Sequence, residues 1–142
     1  EETREIFGFC ILLDCHSMPS GAASQRGDRG GRIRPVDAVL GDCHATACDP
    51  TVTNEAERQL IKMGYGVRRN NPYAGGFVTR HHGRPSDGVH ALQIELNRGL
   101  YMNEATIERL PAIVKLTEDM AGLIRELGTI RLSNTTFEQA AE

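Results

Sequence analysis

Nine residues constrain this chain more than any others: Val89-His90-Ala91-Leu92-Gln93-Ile94-Glu95-Leu96-Asn97. Side chains of a β-strand alternate between its two faces. Leu92, Ile94 and Leu96 therefore share one face, and Gln93, Glu95 and Asn97 the other. Around this strand the chain alternates strand-like and helix-like stretches. Phe9 to Leu13 is a continuous apolar run, which suggests a strand buried on both faces in the middle of a sheet. Asp37 to Asp42 and Gly66 to Arg69 read as further short strands. A helix is expected from about Thr53, as N-cap, to Met63, with Glu55 in its first turn and Gly64 closing it. Glu1 to Glu5 reads as the end of a helix capped by Gly8. A short helix is expected after Asn103. A long one starts near Pro111, with Ile113, Leu116, Met120, Leu123, Ile124 and Leu127 at helical spacing and Gly128 at its end. The pattern is that of an α/β protein.

Residues 17 to 35 carry no periodicity and are rich in Gly, Ser, Arg and Pro, and 129 to 142 read as a loosely held tail. The 142 residues suffice for one domain, 1–142. A formal net charge of −3 offers no basic footprint for nucleic acid. There is no apolar run long enough to cross a bilayer and no secretory signal, so the expectation is a cytoplasmic protein with no membrane partner. Cys10, Cys15, Cys43 and Cys48 form no CxxC pair and are read as reduced thiols. A zinc site from Cys15, Cys43 and Cys48 lacks the spacing of a ribbon or finger. The chain starts in a charged stretch without Met and reads as cut from something longer.

Asp14 and His16 lie two apart at the end of the first strand, so they share a face. Ligands of open α/β sheets bind outside strand ends. A neutral imidazole there suits a metal, and a carboxylate beside it suits fixing the ring's tautomer. A plain hydrogen-bonded pair without metal accounts for the same spacing. Glu95 suits a general base on a metal-activated water; it equally suits a solvent-facing partner of Arg98. Arg68, Arg69, Asn70, Arg80, His81 and His82 surround the turn Pro72-Tyr73-Ala74-Gly75-Gly76. Arginine grips carboxylates bidentately, which suits an acidic substrate, but a solvated basic loop has the same composition. His81 and His82, read as strand neighbours, would point apart. The second triplet, Asp42-Cys43-His44, invites a second metal half-site or a thiol nucleophile; packed or hydrogen-bonded side chains are the simpler reading.

Leu12-Leu13-Asp14-Cys15-His16-Ser17-Met18-Pro19, Leu40-Gly41-Asp42, Cys48-Asp49-Pro50, Asn71 to Arg80 and His90 to Arg98 together resemble the N-formylglutamate amidohydrolase family, in order and spacing, over roughly residues 9 to 104. The resemblance implies a zinc-carboxypeptidase-like fold: a mixed, mostly parallel sheet flanked by helices, with one divalent metal, zinc, at strand ends. It implies His16 as the third metal ligand with Asp14 behind it, and Glu95 as general base. The first two ligands would come from an N-terminal region that nothing here matches, so the chain resembles the C-terminal portion of an amidohydrolase domain. Taken alone it is expected to bind metal weakly and to hydrolyse little. The implied reaction is hydrolysis of N-formyl-L-glutamate, or a similar small N-acyl acidic amino acid, to formate and glutamate, as in histidine degradation. Arg69, Asn70 and Arg80 are the expected grips for the substrate carboxylates. Another metallo-carboxypeptidase or amidase on the same scaffold, or an incomplete binding domain, are the alternatives.

Overall fold

The computed structural model describes residues 2–23 and 36–132. Helix α1 (Glu2–Phe7) closes at Gly8, whose φ of 80° is costless without a Cβ. Strand β1 (Cys10–Met18) follows, then a single turn α2 (Ser20–Ala23), β2 (Ala38–Gly41), α3 (Pro50–Lys62), β3 (Val67–Arg69) and α4 (Phe77–His82). Strand β4 (Val89–Asn97) leads into a small hairpin, β5 (Met102–Asn103) with β6 (Glu108–Arg109), and helix α5 (Ile113–Leu127) ends the described fold. The main sheet has the order β1-β4-β2-β3; β1 runs parallel to β4 and β2 parallel to β3, while β2 and β4 are antiparallel. The protein is thus α/β with a mixed sheet.

One face of the sheet carries the core. Ala38, Leu40, Leu92 and Ile94 meet Val52, Ala56 and Leu60 of α3 and Leu123 and Leu127 of α5, all essentially without solvent contact. Helix α3 presents that stripe because Asp49 caps it, its side chain accepting from Thr51 N at 2.7 Å, with Pro50 pre-set at the first helical position. Thr53, the expected cap, lies a turn inside, and its hydroxyl donates to Asp42 instead. Gly64, at φ 98°, ends the helix as expected.

Three further expectations are corrected. Strand β1 is not central: among the described residues it pairs on one side, with β4, and Leu12 on its other face is 37% exposed. It carries Asp14 and His16 near its end, as expected, and runs on to Met18. Asn103 starts no helix; its Oδ1 accepts from Ala105 N and Thr106 N, which turns the β5–β6 hairpin. His81 and His82 lie in helix α4, with ring centroids 4.8 Å apart. Of the unpatterned 17–35 stretch, Ser20–Ala23 is helical and residues 24–35 lie outside the described residues; so do 133–142, while Ile130 and Leu132 pack onto the core. All four cysteines are free thiols. No helix among the described residues is long and apolar enough to cross a membrane.

Candidate active site

The face opposite the core is polar, and strand register composes it. Parallel pairing sets His16 beside Glu95 and Asp14 beside Gln93. Antiparallel β2 sets Val39 beside Glu95 and Gly41 beside Gln93, and β3 sets Arg68 beside Val39. Residues in register project to the same side, so one row across the sheet reads His16, Glu95, Val39, Arg68. The imidazole and the carboxylate expected from sequence to work together are adjacent.

Asp14 and His16 are joined by a 2.9 Å contact between Oδ1 and Nε2. A carboxylate accepts, so the ring donates from Nε2 and its Nδ1 keeps a lone pair. The His16 side chain is 48% exposed, which leaves that nitrogen accessible. Asp14 Oδ2 is buried without a hydrogen-bond partner among the described residues. This donor set fits one imidazole ligand of a divalent metal, oriented by a carboxylate. It is not a closed site: no group of three His, Cys, Asp or Glu residues able to hold a metal occurs among the described residues.

Glu95 is 6% exposed. A carboxylate in that setting needs a donor, and Gln93 supplies one, Nε2 to Oε1 at 2.7 Å. Gln93 is held in turn, because Gly76 N–H donates to its Oε1 and so turns the amide nitrogen toward Glu95. The loop bearing Gly76 reaches the sheet through Gly41, where a Cβ would sit 2.8 Å from Ala74 C and Gly75 N. A missing side chain on β2 thereby admits the loop that holds Gln93 against Glu95. Beside it Met18, Val36 and Val39, with Tyr73 against them, form a small buried apolar cluster.

The other expected residues are placed as follows. Arg69 turns to the core side of the sheet and is ion-paired with Glu57 of α3, so the fold does not bring it to Glu95. Asn70 is committed to the loop after β2: its Oδ1 accepts from Asp42 N (3.1 Å) and His44 N (3.3 Å), and its Nδ2 donates to Asp42 Oδ1 (2.8 Å). Arg80, exposed on α4, donates to Gly75 O at 2.8 Å and lies at the loop over the polar face. The second triplet diverges from the first, because β2 runs against β4 and β1. It forms a left-handed turn, Cys43, His44 and Ala45 having φ of 54°, 57° and 65°. Asp42 anchors the turn. Burial raises the pKa of its carboxyl, but donors from Ala45, Asn70 and Thr53, with Arg69 nearby, outweigh burial and leave it below the ordinary value. Burial raises the Cys43 thiol despite Arg80, and takes Cys48 to about 12, so neither is a ready thiolate nucleophile.

The N-formylglutamate amidohydrolase family model matches residues 1–102, which contain β1 through β4 and the whole polar face. This chain belongs to that family. An N-formylglutamate deformylase of Pseudomonas putida is 32% identical over 105 residues, 73% of this chain and 38% of the relative. One of Pseudomonas aeruginosa is 34% identical over 122 residues, 85% of this chain and 43% of the relative. The crystal structure of an N-formylglutamate amidohydrolase from Ralstonia eutropha superposes with a TM-score of 0.77 at 37% identity, over 89% of this chain and 45% of that one. The chain thus spans less than half the length of the relatives it matches. Within this N-formylglutamate amidohydrolase fold His16 and Glu95 stand side by side in register, and sequence reasoning missed Gln93, which donates to Glu95. The signal was present, since Gln93 shares the alternating polar face two residues away.

Proposed function

We propose that the protein carrying this chain hydrolyses the amide bond of N-formyl-L-glutamate to formate and glutamate, in the cytoplasm and as a step of histidine degradation. The observation that supports this most directly is the pairing of His16 with Glu95 in register on one polar face. His16 would hold a divalent metal, zinc, through the ring nitrogen that Asp14 leaves unused, with the remaining donors outside the described residues. The metal would supply Lewis acidity for the formyl carbonyl and for an attacking water. Glu95 takes the water's proton and returns it to the leaving nitrogen; Gln93 holds one carboxylate oxygen, leaving the other for this transfer. Burial of Glu95 keeps bulk water from competing for the proton. Arg80, at the loop above, adds positive charge for an acidic substrate. The names of the relatives support the choice of N-formylglutamate.

The test is Glu95→Gln in the full-length protein. Metal content by elemental analysis is expected to stay unchanged while turnover of N-formyl-L-glutamate falls by about 10²–10⁴. Near-normal turnover would remove Glu95 from the chemistry. A panel of formyl, acetyl and peptidyl glutamates separates this activity from a carboxypeptidase or broader amidase.

A further inference from the structure

We infer that His90 is a pH-sensitive latch: its neutral ring holds the segment before α3 against strand β4, and a second ring proton releases that segment. The device is independent of the reaction proposed above.

Strand β4 is stitched to the chain before α3 at two points. Ala91 N–H donates to Ala47 O at 2.8 Å, and Asp49 N–H donates to His90 Nδ1 at 3.1 Å. Gly83 lets the first point form, since a Cβ there would stand 2.5 Å from the Ala47 Cβ. Between the two points Cys48 has no solvent contact. Asp49 is also the N-cap of α3, its side chain accepting from Thr51 N. The amide that the ring holds therefore belongs to the residue that starts the helix.

The two bonds differ in kind. A carbonyl oxygen accepts at any ordinary pH, whereas an imidazole nitrogen accepts only while it carries no proton. A backbone N–H can only donate, so Nδ1 holds a lone pair and the latched ring is neutral. His90 is 4% exposed, and Phe9 meets its ring edge-on with centroids 6.2 Å apart. A proton on Nδ1 would set two donors face to face out of reach of bulk water, so ring and amide must part. Asp49 is the charged group that acts on the ring among the described residues. Burial is the larger influence and holds the ring below its ordinary pKa, although the Asp49 carboxylate favours the charged form. Phe9 and Ile11, on β1, are apolar, and the Cys48 thiol, at about 12, stays neutral. The latch is thus fully engaged above the unfolded imidazole value of about 6.5, and is lost as pH falls from there through the lower folded value. One proton is linked to opening, so the closed form loses up to about tenfold per pH unit across that window. Opening uncovers Cys48 and frees the first turn of α3, whose Thr53 hydroxyl holds Asp42.

The experiment reads amide hydrogen exchange by mass spectrometry over Ala47 to Thr53 in the full-length protein. Exchange is measured at about pH 7.5 and about pH 5, either side of the free imidazole value, and divided by that of the unfolded chain at the same pH. Unsubstituted protein is compared with His90→Asn and His90→Phe. Asparagine sets its side-chain oxygen near the place of Nδ1, where it accepts from Asp49 N–H and does not titrate. Phenylalanine fills the place without an acceptor. Protection in the unsubstituted protein is expected to fall by about threefold to thirtyfold on acidification. It should stay constant in His90→Asn and be low at both pH values in His90→Phe. His16, His44, His81 and His82 are exposed and present in all three proteins. A fall that His90→Asn shares therefore belongs to another group and overturns the latch, as does equal protection at both pH values in the unsubstituted protein. Should either variant fail to fold, a nuclear magnetic resonance titration of the unsubstituted protein decides. The His90 ring must then titrate in step with loss of the Asp49 amide's protection, and a protonated ring beside a protected amide overturns the proposal.

Discussion

Replacing Asn70 with alanine should destabilise the fold by about 3 kcal/mol without altering how substrate is read. Asn70 holds three hydrogen bonds, two from the backbone N–H groups of Asp42 and His44 and one to the Asp42 carboxylate. Ordinary neutral bonds contribute about 1 kcal/mol each and one to a charged acceptor about 2. The sum near 4 is an upper value, because His44 is exposed and its N–H regains water. These bonds hold Cys43, His44 and Ala45 in a left-handed turn, a conformation costing L-residues roughly 1–2 kcal/mol each. Removing the support lets the turn relax, which returns part of the loss. Asn70 itself has φ 56°. Asn70→Gly should therefore be less harmful than Asn70→Ala by about 1 kcal/mol, since glycine adopts that φ freely.

Urea unfolding followed by circular dichroism, at neutral pH and again near pH 3, measures both claims. Asp42 has a depressed carboxyl pKa, so its contribution is fully present above the unfolded value of about 3.9 and fades as pH falls through the folded value. Asn70 is one of the donors responsible. The difference between wild type and Asn70→Ala should accordingly shrink on acidification. A difference below about 1 kcal/mol at pH 7, or one independent of pH, would refute the account. An intact stability with a raised KM would return Asn70 to the substrate.

Other expectations follow from the same face. Gln93→Met should leave metal binding intact but lower kcat by about tenfold, since Glu95 loses its 2.7 Å donor; an unaltered kcat would show that the clamp is merely structural. Gly41→Ala places a methyl 2.8 Å from the backbone of Ala74 and Gly75, so it should cost about 1–3 kcal/mol by denaturant unfolding and lower activity through the displaced loop. Cys48, fully buried and with a thiol pKa near 12, should resist iodoacetamide at pH 8 in the native state and react on unfolding; mass spectrometry of native protein labelled at Cys48 would contradict this.

Strand β4 was legible because its period of two is a local property, and the apolar and polar faces it announces are those observed. Its neighbour β1 was misplaced for an equally local reason. Phe9 to Leu13 is apolar without alternation, as a central strand would be, yet among the described residues its strand pairs on one side only, and the open face tolerates Leu12 at 37% exposure. Asn103 was ambiguous in principle: an Asn whose oxygen accepts from the second and third N–H groups beyond it looks alike whether a helix or a hairpin turn follows. For α3 the better signal was available, Asp49 followed by Pro50, and Thr53 drew attention only because a hydroxyl can cap. The left-handed turn at Cys43 to Ala45 contains no glycine, so nothing in its composition marks it; its support comes from Asn70, which pairs with it only once β2 and β3 are parallel.

Register explains the division at the site itself. Residue type and spacing marked Asp14 and His16 as a pair on one face and Glu95 as a carboxylate on an alternating face, and the family resemblance supplied their expected roles. Whether two such strands bring those groups together depends on pairing between segments far apart in the chain, and a slip of one residue would have sent Glu95 to the core side. The same parity separates Arg68 from Arg69. Chemically the two are identical, and the expectation from sequence fell on Arg69. A one-residue difference along β3 ion-pairs Arg69 with Glu57 and sets Arg68 beside Val39, in the register row of Glu95. Sheet register thus decides which arginine faces the core, and a shift of β3 by one residue would exchange the two without changing a single amino acid.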